Sequence, residues 1–299
     1  GPGGMGKTRL AGEIALQTQA MFPDGVFFVS LAPLSPTDDP LTAIIEAMPF
    51  IVQQDDRPAR EQFFDYLRNK SEKRILLVLD NFEHLLAHIP IISDMLAATT
   101  HLKMIVTSRE ALNLQEEWVR QVEGLSYPQQ ENGNGRSIED YSAVRLFVER
   151  ARRIRGDFNL EADGDSVVKI CRLVGGMPLA IELAVGWLKT LQPADIVREI
   201  QHNMDILETR SRNLPERHRS IRSVFSHSWR LIEEDERDVF KKLTLFRGGF
   251  TREAAEVVAG ASLHTLASLV DKSLVRLGAG GRYDIHELLR QFGAEQMDA

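Results

Sequence analysis

The sequence has little of what marks secreted, membrane or nucleic-acid-binding proteins. It contains one cysteine, Cys171, so no disulfide can form within the chain. Its longest apolar runs, such as residues 75–79, fall far short of the roughly 20 residues that a membrane-spanning helix needs. Basic residues are in deficit, because 36 Lys and Arg face 43 Asp and Glu. We therefore expect a soluble, cytoplasmic protein with no membrane partner and no general cationic surface for nucleic acid.

The first 130 residues alternate between short apolar runs and amphipathic stretches. The runs are rich in β-branched and aromatic residues, which is typical of parallel strands buried on both faces. The strand candidates are residues 26–31, 75–79 and 104–107, with a weaker one at 118–122. Helical patterns separate them, so the sequence predicts an α/β domain with a parallel sheet and ligands at the carboxyl ends of its strands.

The chain changes character after a Gly- and Asn-rich stretch at residues 129–136. Four helical patterns without a clear strand predict an all-α helical domain over 137–210. Further helices then precede two strand-like segments around the sequence Gly-Ala-Gly-Gly, a layout that favours a winged-helix domain. The predicted domains are thus a nucleotide-binding domain at 1–130, a helical domain at 137–210 and a winged-helix domain at 213–299.

A phosphate-binding motif opens the sequence. Residues 1–8 read GPGGMGKT and match G-x-x-x-x-G-K-[ST], directly before an amphipathic helix. Glycines such as Gly3, Gly4 and Gly6 let backbone N–H groups converge on phosphate oxygens. In such loops Lys7 reaches the β- and γ-phosphates, and the Thr8 hydroxyl ligates Mg²⁺. Because the loop normally follows a buried strand, we expect the first strand of this P-loop NTPase sheet to be missing from the sequence.

An acid at the tip of an apolar strand forms the second motif. Residues 75–80 read ILLVLD, and Asp80 is predicted to hold Mg²⁺ beside the loop. An isolated Asp after a strand more often caps a helix, but the glycine loop upstream favours the metal role. Asn81 stands where many hydrolytic relatives carry an acid, so we expect slow hydrolysis. Glu83 is a candidate general base, and a solvated residue in the first turn of a helix is the alternative.

A third strand ends in a polar residue and a cation. Residues 103–109 read KMIVTSR, which brings Arg109 to the same edge of the sheet. A guanidinium binds phosphate oxygens through two hydrogen bonds, so Arg109 is a candidate sensor of the γ-phosphate. An ordinary surface arginine is the alternative interpretation.

Taken together, these motifs resemble the STAND class of signal-transduction ATPases, also called the NB-ARC group, in its bacterial branch. The resemblance covers nearly the whole chain, in the family's order. The matching segments are residues 1–11, 77–85, 107–109, 143–147, 176–180 and 285–289.

The resemblance implies further nucleotide-binding residues. Met5 and Arg9 join the loop, and Pro178 in a G-x-P motif would pack on the adenine ring. A proline in the first turn of a helix is a compatible alternative. His286 matches the histidine of the M-H-D motif, which contacts the ADP β-phosphate in the family. Here the motif reads Ile-His-Glu, so Glu287 departs from the family's aspartate.

The resemblance implies a molecular switch that binds ATP and ADP in a signal-transduction or transcriptional regulator, with slow Mg²⁺-dependent hydrolysis. Its partners would be an effector domain and a helical-repeat sensor domain outside this sequence, and a homo-oligomer would form in the active state. Residues 215–299 carry thirteen basic and thirteen acidic side chains, which argues against direct DNA binding. The alternative is a turnover ATPase of the AAA+ kind acting on DNA or protein.

Overall fold

The computed structural model describes residues 1–54, 56–69, 74–129, 137–209 and 219–297, and the chain divides into two compact units. The α/β unit is Lys7–Arg120, and the helical unit combines Gly1–Gly6 with Gln121–Ala299. The predicted domain boundaries near residues 130–137 and 210–213 fall largely outside the described residues, so they stay predictions.

A parallel sheet of three strands forms the centre of the α/β unit. Its strands are β1 (Val26–Ser30), β2 (Ile75–Asp80) and β3 (Leu102–Val106), in the order β1-β2-β3. The middle strand is buried at every residue, as its unbroken apolar sequence predicts. The α/β prediction and its three main strands are confirmed. The weaker strand candidate at 118–122 was wrong, because Trp118 is 92% exposed and the described structure has no strand there.

Helices cover both faces of this sheet. They are α1 (Lys7–Gln17), α2 (Pro40–Ala47), α3 (Ala59–Asn69) and α4 (Pro90–Ala98). The small residues Ala11 and Ala15 of α1 pack on Leu76 and Val78 of β2. Aromatic and aliphatic side chains of α2, α3 and α4 fill the opposite face. This packing fixes the strand ends at which ligands of such sheets bind.

The helical unit is built almost entirely of helices. They are α5 (Ser142–Ile154), α6 (Leu160–Leu173), α7 (Pro178–Gly186), α8 (Pro193–His202), α9 (Ile221–Arg230), α10 (Glu234–Leu243), α11 (Arg252–Ala259), α12 (Leu263–Asp271) and α13 (Glu287–Glu295). The first four confirm the predicted helical region. One continuous apolar core joins these helices, and it contains the buried thiol of Cys171.

A short hairpin precedes the last helix. Its strands β4 (Arg276–Leu277) and β5 (Tyr283–Asp284) are antiparallel, with Leu277 opposite Tyr283. This confirms the predicted hairpin around Gly-Ala-Gly-Gly, although both strands are shorter than predicted. The winged-helix interpretation stays a prediction. Across the described ranges, no helix combines the length and apolarity that crossing a bilayer requires.

Candidate functional site

The glycine loop has the backbone geometry that its motif requires. Gly4 and Gly6 have φ angles of 80° and 84°, in the left-handed region that residues with a Cβ rarely adopt. The chain then enters α1 at Lys7, and the first N–H groups of a helix lack partners within the helix. The loop and the helix start therefore present backbone donors and a positive dipole end to an anion.

The same loop lies against the start of α7 in the helical unit. The Leu179 N–H donates to the Gly4 carbonyl at 3.3 Å, and Met5 is buried in the core of this unit. A Cβ on Gly6 would lie 3.9 Å from Cγ of Pro178, the first residue of α7. Pro178 thus lies beside the loop, while its predicted contact with adenine stays a prediction.

His286 is a buried, neutral imidazole. As the N-cap of α13 it accepts the Leu288 N–H at Nδ1 (3.3 Å), which leaves its proton on Nε2. Burial and then the Arg276 charge lower the pKa of His286 to about 4, against weaker opposing effects that include the Val174 backbone. A Cβ on Gly175 would come within 2.3 Å of Nε2, so only glycine fits there. Within the described residues Nε2 meets no acceptor with hydrogen-bond geometry.

His286 and the loop line one cavity in the helical unit. Gly1, Pro2 and Met5 line it together with Arg276 and His286. The cavity has a volume of about 70 Å³, well below the roughly 300–1,000 Å³ of ligand pockets. In this conformation it can hold only part of a nucleotide.

At the carboxyl edge of the sheet, Asp80 is held by a residue that sequence reasoning missed. The Thr107 hydroxyl donates to Asp80 Oδ1 (2.7 Å) and accepts the Asn81 N–H (2.9 Å). Because a hydroxyl has a single proton, this arrangement fixes the direction of the bond to Asp80. Thr107 directly follows β3, the strand paired with β2, and that adjacency is the signal that could have identified it.

Glu83 and Arg109 form a buried ion pair. Arg109 Nε donates to Glu83 Oε1 at 3.0 Å, and the two side chains are 5% and 3% exposed. Both alternative interpretations, a solvated Glu83 and a surface Arg109, were therefore wrong. Their predicted roles as base and γ-phosphate sensor stay predictions.

Lys7 shares the electrostatic field of these groups. Burial lowers the pKa of Lys7 to about 8, and the Glu83 carboxylate is the largest charge opposing that shift. Arg109 lowers this pKa further, and Asp80 raises it. The α/β unit thus brings together the four residues predicted to act on the phosphates. Thr8 and Arg9 follow on α1 with exposed side chains.

The remaining acid of the Ile-His-Glu segment has a local role. Glu287 accepts hydrogen bonds from Arg290 at both carboxylate oxygens (2.6 and 2.8 Å) and another from Gln291. Arg290 in turn donates to the Thr244 carbonyl at 3.4 Å. Glu287 thus holds Arg290, the residue that joins α13 to the end of α10.

Comparison with known proteins identifies relatives over nearly the whole chain. No family model matches it. An uncharacterized protein of Mycobacterium tuberculosis is 32% identical over 311 residues, which cover 99% of this chain and 75% of that protein. A second M. tuberculosis protein, named as an HTH-type transcriptional regulator, is 33% identical over 309 residues. That match covers 99% of this chain but only 33% of the regulator.

A solved structure supports the fold alone. The Walker-type ATPase of Pyrococcus abyssi overlays with a TM-score of 0.57 at 12% identity, covering 98% of this chain and 89% of that one. The overlay confirms the P-loop ATPase fold. The first mycobacterial relative is 32% identical to this chain over 75% of its own length, so the two proteins belong to one family. The chain belongs to the bacterial branch of the STAND class of P-loop ATPases.

Proposed function

We propose that this chain binds ATP and ADP and acts as the nucleotide-dependent switch of a signal-transduction or transcriptional regulator, with slow Mg²⁺-dependent hydrolysis. The main support is the charged cluster of the α/β unit. There, Lys7 follows a left-handed glycine loop and lies in the field of Asp80, Glu83 and Arg109. Two cations and a fixed carboxylate at a helix start suit a polyphosphate with its metal ion.

The phosphates and Mg²⁺ would be held by the loop and the strand end. N–H groups around Gly3, Gly4 and Gly6 would bind phosphate oxygens, and Lys7 would neutralise their charge. Thr8 and Asp80 offer hydroxyl and carboxylate oxygens, the donors that Mg²⁺ prefers. Since Thr107 bonds to Oδ1 of Asp80, the carboxylate keeps a fixed direction toward a bound ion or its water. When bound, Mg²⁺ supplies charge neutralisation between the β- and γ-phosphates.

The rest of the nucleotide would contact the helical unit. Pro178 offers a rigid apolar ring beside the loop for adenine, and Met5 supports the loop from the core. The neutral His286 has its proton on Nε2 and can donate it to a β-phosphate oxygen. Because the cavity is small, binding there would require its lining to move. Arg9, at the start of α1, would complete the contacts of the loop.

Exchange of ADP for ATP would then act as the signal. The γ-phosphate would contact Arg109 only in the ATP state, and this difference in contacts shifts the population of conformations. Effector and sensor domains elsewhere in the natural protein, and a homo-oligomer in the active state, would carry the output.

The rival is a turnover ATPase of the AAA+ kind that acts on DNA or protein. It is disfavoured by Asn81, which stands where such enzymes need an acid to polarise water. Its DNA-binding form is disfavoured by the balanced charge of residues 215–299.

The nucleotide carried by the purified protein separates the two. We expect the full natural protein to release ADP on denaturing extraction and to hydrolyse ATP no faster than about once per minute; a motor would turn over at roughly 1–100 per second. Lys7→Ala should abolish nucleotide retention, whereas Lys103→Ala, which removes an exposed lysine of β3, should leave it unchanged. An extract without adenine nucleotide, or full retention by Lys7→Ala, would contradict the proposal.

A further inference from the structure

A buried carboxylate is bonded to a cation that the proposed function assigns to phosphate. Glu83 accepts Arg109 Nε at 3.0 Å, with the two side chains 3% and 5% exposed. The ion pair Arg60–Asp94 of the same unit is about half exposed at both side chains, as is usual for ion pairs on protein surfaces. Glu83 and Arg109 are therefore desolvated together in the interior.

The backbone turns this carboxylate inward. Asn81 has a φ of 70° and a ψ of 53°, a left-handed conformation that is uncommon outside glycine. A short 3₁₀ turn, Phe82–His84, follows, and the Phe82 N–H donates to the Thr107 carbonyl at 3.0 Å. This anchored turn aims Glu83 at the segment after β3, where Arg109 lies. The burial is thus built into the backbone of the segment.

Stability alone is a poor reason for such a pair. Desolvating two charges costs about as much as their attraction returns, and well-packed apolar residues often do as well. Glu83 also acts on the second phosphate-binding cation, since its effect on the pKa of Lys7 is the largest of any charge and exceeds that of Asp80. The carboxylate therefore balances both cations.

We infer that Glu83 is a specificity-determining residue that sets the preference of the site for ADP over ATP. Its carboxylate is an internal counter-anion that pairs with Arg109 in place of the γ-phosphate. The inference rests on the proposed function. A γ-phosphate at Arg109 would compete with the Glu83 carboxylate for the same guanidinium, whereas ADP would leave the pair intact. This competition lowers the affinity for ATP alone, and only such differential affinity shifts a two-state switch.

The test replaces the Glu83 carboxylate with an uncharged amide of similar shape. In the full natural protein, Glu83→Gln should raise the affinity for a non-hydrolysable ATP analogue relative to ADP by on the order of tenfold, measured by titration calorimetry with Mg²⁺. Glu236→Gln is the matched control, because it takes a buried carboxylate from Lys272 in the helical unit. Its ratio of ATP-analogue to ADP affinity should equal that of the wild type.

Arg109→Gln gives a second route that does not depend on Glu83→Gln folding. Losing the guanidinium should lower the affinity for the ATP analogue by about tenfold and leave that for ADP within about threefold. In this background, Glu83→Gln should lose most of its effect, as coupled residues do in a double-mutant cycle.

The inference is overturned if Glu83→Gln leaves the ratio of ATP-analogue to ADP affinity unchanged. It is also overturned if the full gain in this ratio persists in the Arg109→Gln background. In both cases, nucleotide binding by the wild type keeps the proposed function intact. A wild type that binds neither nucleotide contradicts the proposed function itself.

Discussion

The two units hold their candidate site residues by different means. In the α/β unit, charged and hydroxyl side chains at strand ends are fixed by bonds to each other, as in Asp80 with Thr107 and Glu83 with Arg109. In the helical unit the corresponding features are glycine backbones, a buried methionine and one neutral imidazole. The α/β unit therefore relies on charged side chains bonded in pairs, whereas the helical unit relies on closely packed backbones.

Shape in the helical unit depends on backbones that approach very closely. The Leu125 N–H donates to the Gly176 carbonyl at 2.8 Å. A Cβ on Gly176 would lie 2.0 Å from the Leu125 carbonyl oxygen, and one on Gly124 would lie 2.2 Å from that of Gly175. No side chain fits at either position without moving the backbone.

The largest loss of stability should come from placing a side chain at the contact between Gly176 and Leu125. Gly176→Ala adds a Cβ against a carbonyl at a φ of 68°, so we expect a loss of about 4 kcal/mol or more in the free energy of unfolding of the helical unit. Urea unfolding followed by the fluorescence of Trp187 and Trp229 measures it. Gly186→Ala, where nothing lies within 4 Å of an added Cβ, is the control and should be neutral or slightly stabilising. Equal stability of both variants would show that the close approach is absent.

The imidazole should make the stability of the helical unit depend on pH. Its folded pKa of about 4 lies below the ordinary 6.5. As pH falls from about 6.5 to 4, His286 therefore becomes protonated in the unfolded chain but stays neutral in the folded chain. The free energy of unfolding decreases over this range. The expected loss is up to about 3 kcal/mol. His286→Asn keeps a helix cap without titrating, so its urea-unfolding free energy should fall less over this range. Parallel pH curves for the two proteins would contradict the assignment.

A smaller effect is expected in the α/β unit. Thr107→Val removes the hydroxyl that joins Asp80 and Asn81, and losing these two hydrogen bonds should cost about 1–3 kcal/mol. It should also raise the Mg²⁺ concentration needed for ATP binding, because the Asp80 carboxylate loses its fixed direction. Both changes can be followed by urea unfolding and by titrating Mg²⁺ with a fluorescent ATP analogue. Thr107→Ser keeps the hydroxyl and should resemble the wild type. An unaltered Mg²⁺ dependence in Thr107→Val would show that Thr107 has no role in the proposed Mg²⁺ site.

Much of the charged cluster in the α/β unit could be predicted from sequence, because its residues follow unbroken apolar strands. Residues 75–80 read as a buried strand, and the acid at its end was assigned on that basis. The partners of Asp80 and Glu83 could not be predicted. Thr107 and Arg109 each lie 26 or 27 residues downstream, and only the register that pairs Leu79 with Val106 brings them into reach.

The close backbone contacts of the helical unit could not be predicted from sequence in the same way. The sequence did not indicate that Gly175 meets His286 or that Gly176, in the 176–180 segment, meets Leu125, since those contacts depend on how helices and loops pack. Apolar composition also misled at Trp118, where hydrophobic residues lie exposed instead of in a strand. Local patterns report elements well, but they report contacts between distant segments poorly.

In the proposed function, the glycine loop and His286 hold one nucleotide. The most direct measurement is the release rate of a fluorescent ADP from the full natural protein, chased with excess ADP in a stopped-flow instrument. We expect release about tenfold faster or more from His286→Asn than from the wild type, since one hydrogen bond to a charged phosphate is lost. Equal release rates for the two proteins would contradict it.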